Sequence, residues 1–379
     1  MGFKPSSMGP IEEKMQRGMV GRLIEDDTAS PPIGRAAKDE VTESCPVGIA
    51  VTDDVTESSP IGRAAKDEVT ESGPTAEAYQ LAEIHPWSHH RDGTIYKNMN
   101  FWKSDQCIDV TNRDETQLEP MRFTVATNDC YIDAQDCLGH LTCDMLQIFS
   151  LNLAKTTIKS GPIQLYGYIA ARDDVDFMLN YVFNRSRDDP IIVQQGSFIE
   201  VTGPKRGIQM NCSVLFEFDM RIRNEKKGED DLQLIDGITE LNEMFFPCKQ
   251  SILRINGDCG AIDMSLGIVY NGVEATVEVA ISELVSAFDL SLSCDLCMLE
   301  ERGKFQLFCG TIGEPCGLRR FVIAVTLNTV MHLKFKVDKK GSNVVEHLCS
   351  FEAKQHACAS HQIKCELANI SVKVTWSTL

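Results

Sequence analysis

The chain has 379 residues, a formal net charge of −18 and a pI near 4.9. That length accommodates two or three domains of ~100–200 residues, and the strong acidity argues against general nucleic-acid binding, because phosphates repel it. No stretch reaches the ~18 apolar residues of a membrane-crossing helix, so no transmembrane segment is expected.

Residues 1–78 hold a single aromatic, Phe3, and 15 acidic against 8 basic residues, a net charge of −7. So little apolar surface cannot offset the entropy of ordering, which predicts a disordered acidic tail. Within it a 14-residue unit repeats. Pro32 to Cys45 reads PIGRAAKDEVTESC, Pro46 to Ser59 reads PVGIAVTDDVTESS, and Pro60 to Gly73 reads PIGRAAKDEVTESG. The units are too short and polar to stack as a solenoid. They read as a flexible duplicated tail or as a multivalent linear motif that raises effective concentration at a protein partner. The 15 cysteines, with no secretory leader in the first residues, predict reduced thiols in a cytoplasmic or nuclear protein.

Residues 79–140 read as a mostly irregular lead-in with a short helix over Thr75–Ile84, ended by Pro86. His85, His89 and His90 cluster with Trp87, and in a loop without a nearby cysteine they read as solvated residues.

From residue 141 to 379 the pattern is β. Ile163, Leu165, Tyr166 and Tyr168 follow a Gly-Pro turn, and Val214, Phe216 and Phe218 alternate with Leu215, Glu217 and Asp219. Alternating apolar residues on either side of Asn271-Gly272 predict a hairpin over Ala261–Ile281, with a type I′ turn at its centre. A second hairpin is predicted over Phe321–Val337 about Asn328-Thr329, with His332, Lys334 and Lys336 facing solvent. A final strand spans Gln362–Trp376, its phase slipping at a bulge near Ala368-Asn369. Continuous strands without a long amphipathic helix predict an all-β fold: an antiparallel β-sandwich-like domain behind the disordered repeat-containing tail.

The Asp-rich turns are the first candidate site. Asp173, Asp174 and Asp176 follow one strand, and Asp188 and Asp189 follow the next. Carboxylate loops at one end of a sandwich can hold Ca²⁺ through oxygen ligands. Arg172, Arg185 and Arg187 flank them, so salt-bridged structural turns are the preferred reading, and no metal or cofactor is assigned. Cys294, Cys297, Cys309 and Cys316 offer four thiols, but the second pair is too widely spaced for a zinc ribbon. Cys349, Cys358 and Cys365 with His347, His356 and His361 form a looser set. Lys205-Arg206 and Arg319-Arg320 read as solvated charge. No Gly-x-Ser-x-Gly elbow, phosphate-binding loop or His-Glu-x-x-His helix occurs, and no catalytic residues are assigned.

Several motifs in order carry a resemblance: EPMRFTV at Glu119 to Val125, LQIFSLNL at Leu146 to Leu153, GPIQLYGYIAARDDVD at Gly161 to Asp176, TGPKRGI, GDCGAIDMSLGIVYNGVEATVEV and the closing ISVKVTWSTL. From about Met99 onward the chain resembles an uncharacterised, grass-abundant plant family of unknown function, some members of which are fused to ribosome-inactivating N-glycosidase domains. The resemblance implies a setting in plant defence. The glycosidase pattern of Glu and Arg on one helix has its nearest string at Glu217 to Arg221, which alternates as a strand. The expectation is therefore a non-enzymatic binding protein with an unidentified protein partner. The alternatives are an accessory or remnant module of an RNA N-glycosidase and a Ca²⁺-dependent membrane-binding sandwich.

Overall fold

The computed structural model describes residues 79–97, 121–126, 132–133, 136–137, 139–159, 161–176, 178–224, 231–242, 250–297, 302–338 and 344–379. The tail and repeats expected over residues 1–78 lie outside the described residues.

The described chain is almost wholly β, and one 23-residue strand, Gly260–Ser282, organises it. The first half of this strand pairs with Cys143–Thr156 and Ser251–Asn256. Its second half pairs with Phe321–Thr326 and Asn369–Ser377. Ala357–Lys364 extends this central ten-stranded sheet at one edge, and Gln80–Ala82 adds a parallel strand at the other.

Two smaller sheets pack against it. A five-stranded sheet holds Leu232–Leu241, Val214–Ile222, Ile163–Arg172 and Asn180–Arg185 in that order, with Ile191–Val193 beside Ile163–Arg172. Its Ile169, Phe183, Phe216 and Phe218 meet Leu151, Leu153, Met264 and Leu266 of the central sheet in a first core. A four-stranded sheet runs Arg302–Ile312, Phe288–Cys297, Val330–Asp338, Val345–Glu352. Its Phe288, Leu292, Leu333 and Phe335 meet Phe321, Val374 and Trp376 in a second core. The period-2 alternation read from the sequence builds both interfaces, and each such side chain buried contributes about 1.5–3 kcal/mol.

Three chain reversals depart from expectation. No hairpin forms at Asn271-Gly272. Asn271 does take the left-handed conformation, φ 50°, but within a bulge: the pairing with Cys143–Thr156 jumps from Val269↔Met145 to Gly272↔Cys143. The inserted residue shifts the inward phase. Even-numbered residues from Ile262 to Ile268 fill the first core, and odd-numbered ones from Val273 to Ile281 fill the second. Phe321–Thr326 and Val330–Asp338 are not a hairpin either. They line the same core from facing sheets, so the turn at Asn328 (φ 60°) is a corner between sheets. The alternation itself holds there, and Lys334 and Lys336 pair with Glu346 on the outer face. Conversely, the single strand expected over Gln362–Trp376 is a hairpin, closed by Lys364↔Asn369, with the Cys365 amide donating to Ala368 O at 3.1 Å. The phase slip is a reversal.

The lead-in also differs. Gln80–Ala82 is a strand where a helix was expected, because its backbone completes the ladder beside Ser251–Asn256. The short helix lies at Thr94–Lys97, behind a turn in which Asp92 Oδ1 accepts from the Thr94 amide at 2.9 Å.

Candidate functional site

A buried ionisable cluster sits on the face of the five-stranded sheet turned away from the first core. Val214, Phe216, Phe218 and Met220 point into that core, which sends Glu217 and Asp219 to the other side. Register sets Glu217 opposite Ala170 and Ile238, and Asp219 opposite Tyr168 and Asp236. Residues 83–91 lie across this face. The His85 amide donates to Ile238 O at 2.8 Å, the Ile238 amide donates to Ser88 Oγ at 3.1 Å, and Thr239 Oγ1 donates to Glu83 O at 2.9 Å. Gly237 permits the approach. Its φ is 130°, and a Cβ there would stand 2.5 Å from Ile84 Cγ2 and 2.7 Å from Ser88 Oγ.

At the centre His90 donates from Nδ1 to Asp236 Oδ1 at 2.7 Å and from Nε2 to Glu217 Oε1 at 2.9 Å. Tyr168 donates its hydroxyl to Glu217 Oε1 at 2.6 Å, and Arg172 donates from Nε and Nη2 to Glu217 Oε2, each at 3.2 Å. Asp236 also caps the lead-in, accepting from the amides of His90 at 2.8 Å and Arg91 at 3.1 Å. His90 and Glu217 have no exposed side-chain surface.

Burial alone would lower the His90 pKa, but its bonds to Asp236 and Glu217 raise it to about 9. Burial would raise Glu217, yet the Arg172 charge and the His90 contacts hold it at about 2. Burial pushes Tyr168 well above its ordinary value, and Glu217 pushes it further. Near neutral pH the His90 imidazolium faces the Glu217 and Asp236 carboxylates beside Arg172, with the Tyr168 phenol protonated, while the buried Asp219 next to them pairs with Arg221. The cluster's proton-bearing and proton-accepting atoms are directed at one another, so the arrangement can clamp the lead-in but offers no base to a substrate.

A second buried carboxylate, Glu274, accepts from the Gly207 amide at 2.6 Å, Thr124 Oγ1 at 2.9 Å and Thr276 Oγ1 at 3.2 Å. Burial raises its pKa against those bonds.

The calcium candidates are separate pieces of turn structure. Asp173 is buried, pairs through Oδ1 with Arg206, and accepts the Gln209 amide on Oδ2 at 2.8 Å. Arg206 is thus a buried partner, not the solvated charge expected. Asp176 accepts the Met178 amide at 3.0 Å, and Asp189 pairs with Arg185 at 2.8 Å. Asp174 and Asp188 are exposed. Arg320 pairs with Glu278 at 2.8 Å, while Arg319 lies over the Phe321 ring and is partly buried. Among the thiols, Cys294 is enclosed in the second core, Cys309 is exposed and Cys316 half-buried. Cys365 donates to Ala368 O. Glu217 to Arg221 is a strand, and Arg221 pairs with Asp219 at 3.1 Å.

The expected solvated histidine run is corrected at His90, which is buried because its imidazole completes the ion cluster. The signal in the sequence was Asp236, a charge set between the apolar residues Leu234, Ile235 and Ile238 of the strand Leu232–Leu241.

The family model DUF6598, a domain of unknown function, matches residues 145–376. The chain belongs to this family. The DUF6598 match spans strands of all three large sheets, from Cys143–Thr156 to Asn369–Ser377, whereas His90 lies before it. No curated protein matches. Among solved structures, human GIVD cytosolic phospholipase A2 aligns with 62% of this chain at 9% identity and a TM-score of 0.19. The same enzyme in complex with methyl gamma-linolenyl fluorophosphonate aligns with 63% at 8% identity and 0.21. The aligned part is 33% of each of those chains. Likeness at that level fixes neither fold nor activity.

Proposed function

We propose that this chain is a non-enzymatic binding protein, a double β-scaffold that presents the acidic repeats of residues 32–73 to a protein partner. The observation that carries the reading is the His90 cluster. Acid, base and phenol come together there, and they are spent on one another and on anchoring residues 83–91. This buried ionisable group is committed to holding the lead-in in place. Three copies of one short unit then raise the local concentration of a weak motif. Cys294 and Cys349 act as apolar core residues, which fits a reducing cytoplasmic or nuclear setting.

The test is affinity capture with the full-length protein beside a version with the order of residues 32–73 scrambled. Specific partners should be lost on scrambling while the protein stays folded. Retention of every partner would move the binding surface onto the β-scaffold. Adenine release from ribosomes by the purified protein would overturn the non-enzymatic reading altogether.

A further inference from the structure

We propose that Cys137, His140 and His356 form a binding site for a divalent cation of the zinc class. Among the described residues, the ligand atoms of these three side chains lie within 4.8 Å of one another. Cys137 Sγ is 3.0 Å from His140 Nδ1. The His140 and His356 rings stand 5.1 Å apart and are tilted by 59°, so they converge without stacking. Tetrahedral zinc, with Zn–S of about 2.3 Å and Zn–N of about 2.0–2.1 Å, requires about 3.6 Å from sulfur to nitrogen and about 3.3 Å between nitrogens. The observed spread closes to those values with side-chain shifts on the order of 1 Å.

Two distant segments build the site. Cys137 ends the small ribbon in which Ile132 pairs with Cys137, and His140 follows three residues later, a spacing that sets two ligands on one knuckle. His356 immediately precedes the edge strand Ala357–Lys364. Gln355 Nε2 donates to His140 O at 3.0 Å, so the segments are joined by a contact that uses none of the ligand atoms. Cys137 is buried and the histidines are half-buried, which leaves an approach from solvent. One thiolate with two imidazoles suits Zn²⁺ or Co²⁺, whereas Ca²⁺ and Mg²⁺ favour oxygen. Three protein ligands leave a fourth position for water or an external ligand. His356 thereby finds partners other than the Cys358 and Cys365 with which its sequence position grouped it.

Co²⁺ titrated into the full-length protein is the probe. One ion per chain should bind, with the visible bands of a tetrahedral site and a near-ultraviolet thiolate-to-metal band, and Zn²⁺ should displace it. Cys137→Ser should abolish the thiolate band. His356→Gln should weaken binding by about tenfold or more, since loss of an outer-sphere partner alone costs ~10–100-fold. Cys212→Ser and Cys309→Ser, at exposed thiols, should change neither. If Cys137→Ser fails to fold, His356→Gln decides by itself. A thiolate band that survives Cys137→Ser, unchanged affinity in His356→Gln, or no Co²⁺ uptake would overturn the proposal.

Discussion

Replacing His90 by Gln removes the cation that holds two buried carboxylates together. The imidazole pKa rises from its ordinary 6.5 to about 9 in the folded protein. At about 1.4 kcal/mol per pH unit, that preference for the proton contributes about 3 kcal/mol to folding. The folded state binds this proton more tightly than the unfolded chain does. The contribution is therefore complete below pH 6.5 and declines as pH rises through about 9. Glu217 works at the other end: its pKa is held at about 2, so its stabilisation is present above 4.5 and lost as pH falls towards 2. The two shifts share one interaction and are not added. Breaking a buried pair by removing one partner costs about 3–5 kcal/mol. Asp236 keeps its backbone donors from residues 90 and 91, and Glu217 keeps Arg172, which sets the expected loss near the lower bound, about 3 kcal/mol. Urea unfolding at about pH 6 and about pH 9.5 brackets the titration and measures both effects. Wild type should lose about 3 kcal/mol between them, and His90→Gln should start lower and stay flat. A variant as stable as wild type at the lower pH, or one with the same pH dependence, would refute the reasoning.

Gly237→Ala should destabilise by about 1–3 kcal/mol and speed hydrogen exchange at Ser88 and His90, because its Cβ would displace Ile84 and Ser88; normal exchange there would contradict the close approach. Trp376→Ala should cost about 3–5 kcal/mol in denaturant melts, while Leu348→Asp, at an exposed position, should stay within about 0.5 kcal/mol. Asp173→Asn should cost about 3 kcal/mol by stranding buried Arg206. Millimolar Ca²⁺ should leave the melting temperature of the wild type unchanged, and a rise that Asp173→Asn abolishes would restore the calcium reading.

The inward residues of the strands were legible because period-2 alternation reports burial directly. Phe216 shows the rule plainly: it alternates with Glu217 and lies in the first core. What alternation does not report is the partner. Asn271 needs a positive φ in a turn and in a bulge alike, so local chemistry named the conformation and five paired strands decided that the chain runs on. Ala368 posed the reverse problem, since a phase slip looks the same in a bulge and in a tight reversal. The ion cluster escaped for a related reason. Alternation puts Glu217 and Asp219 on the outward face but does not say that residues 83–91 cover it, and that cover depends on contacts some 150 positions apart in the chain.

The strand Gly260–Ser282 has a consequence for how this fold can change over time. Each core borrows half of the same backbone, so neither half is a detachable module. Deleting one would leave the other with a raw sheet edge and a severed ladder, and duplicating one would require a new strand to take the place of the borrowed half. Changes that leave both cores intact are therefore expected in the loops and edge strands, where no shared ladder is cut.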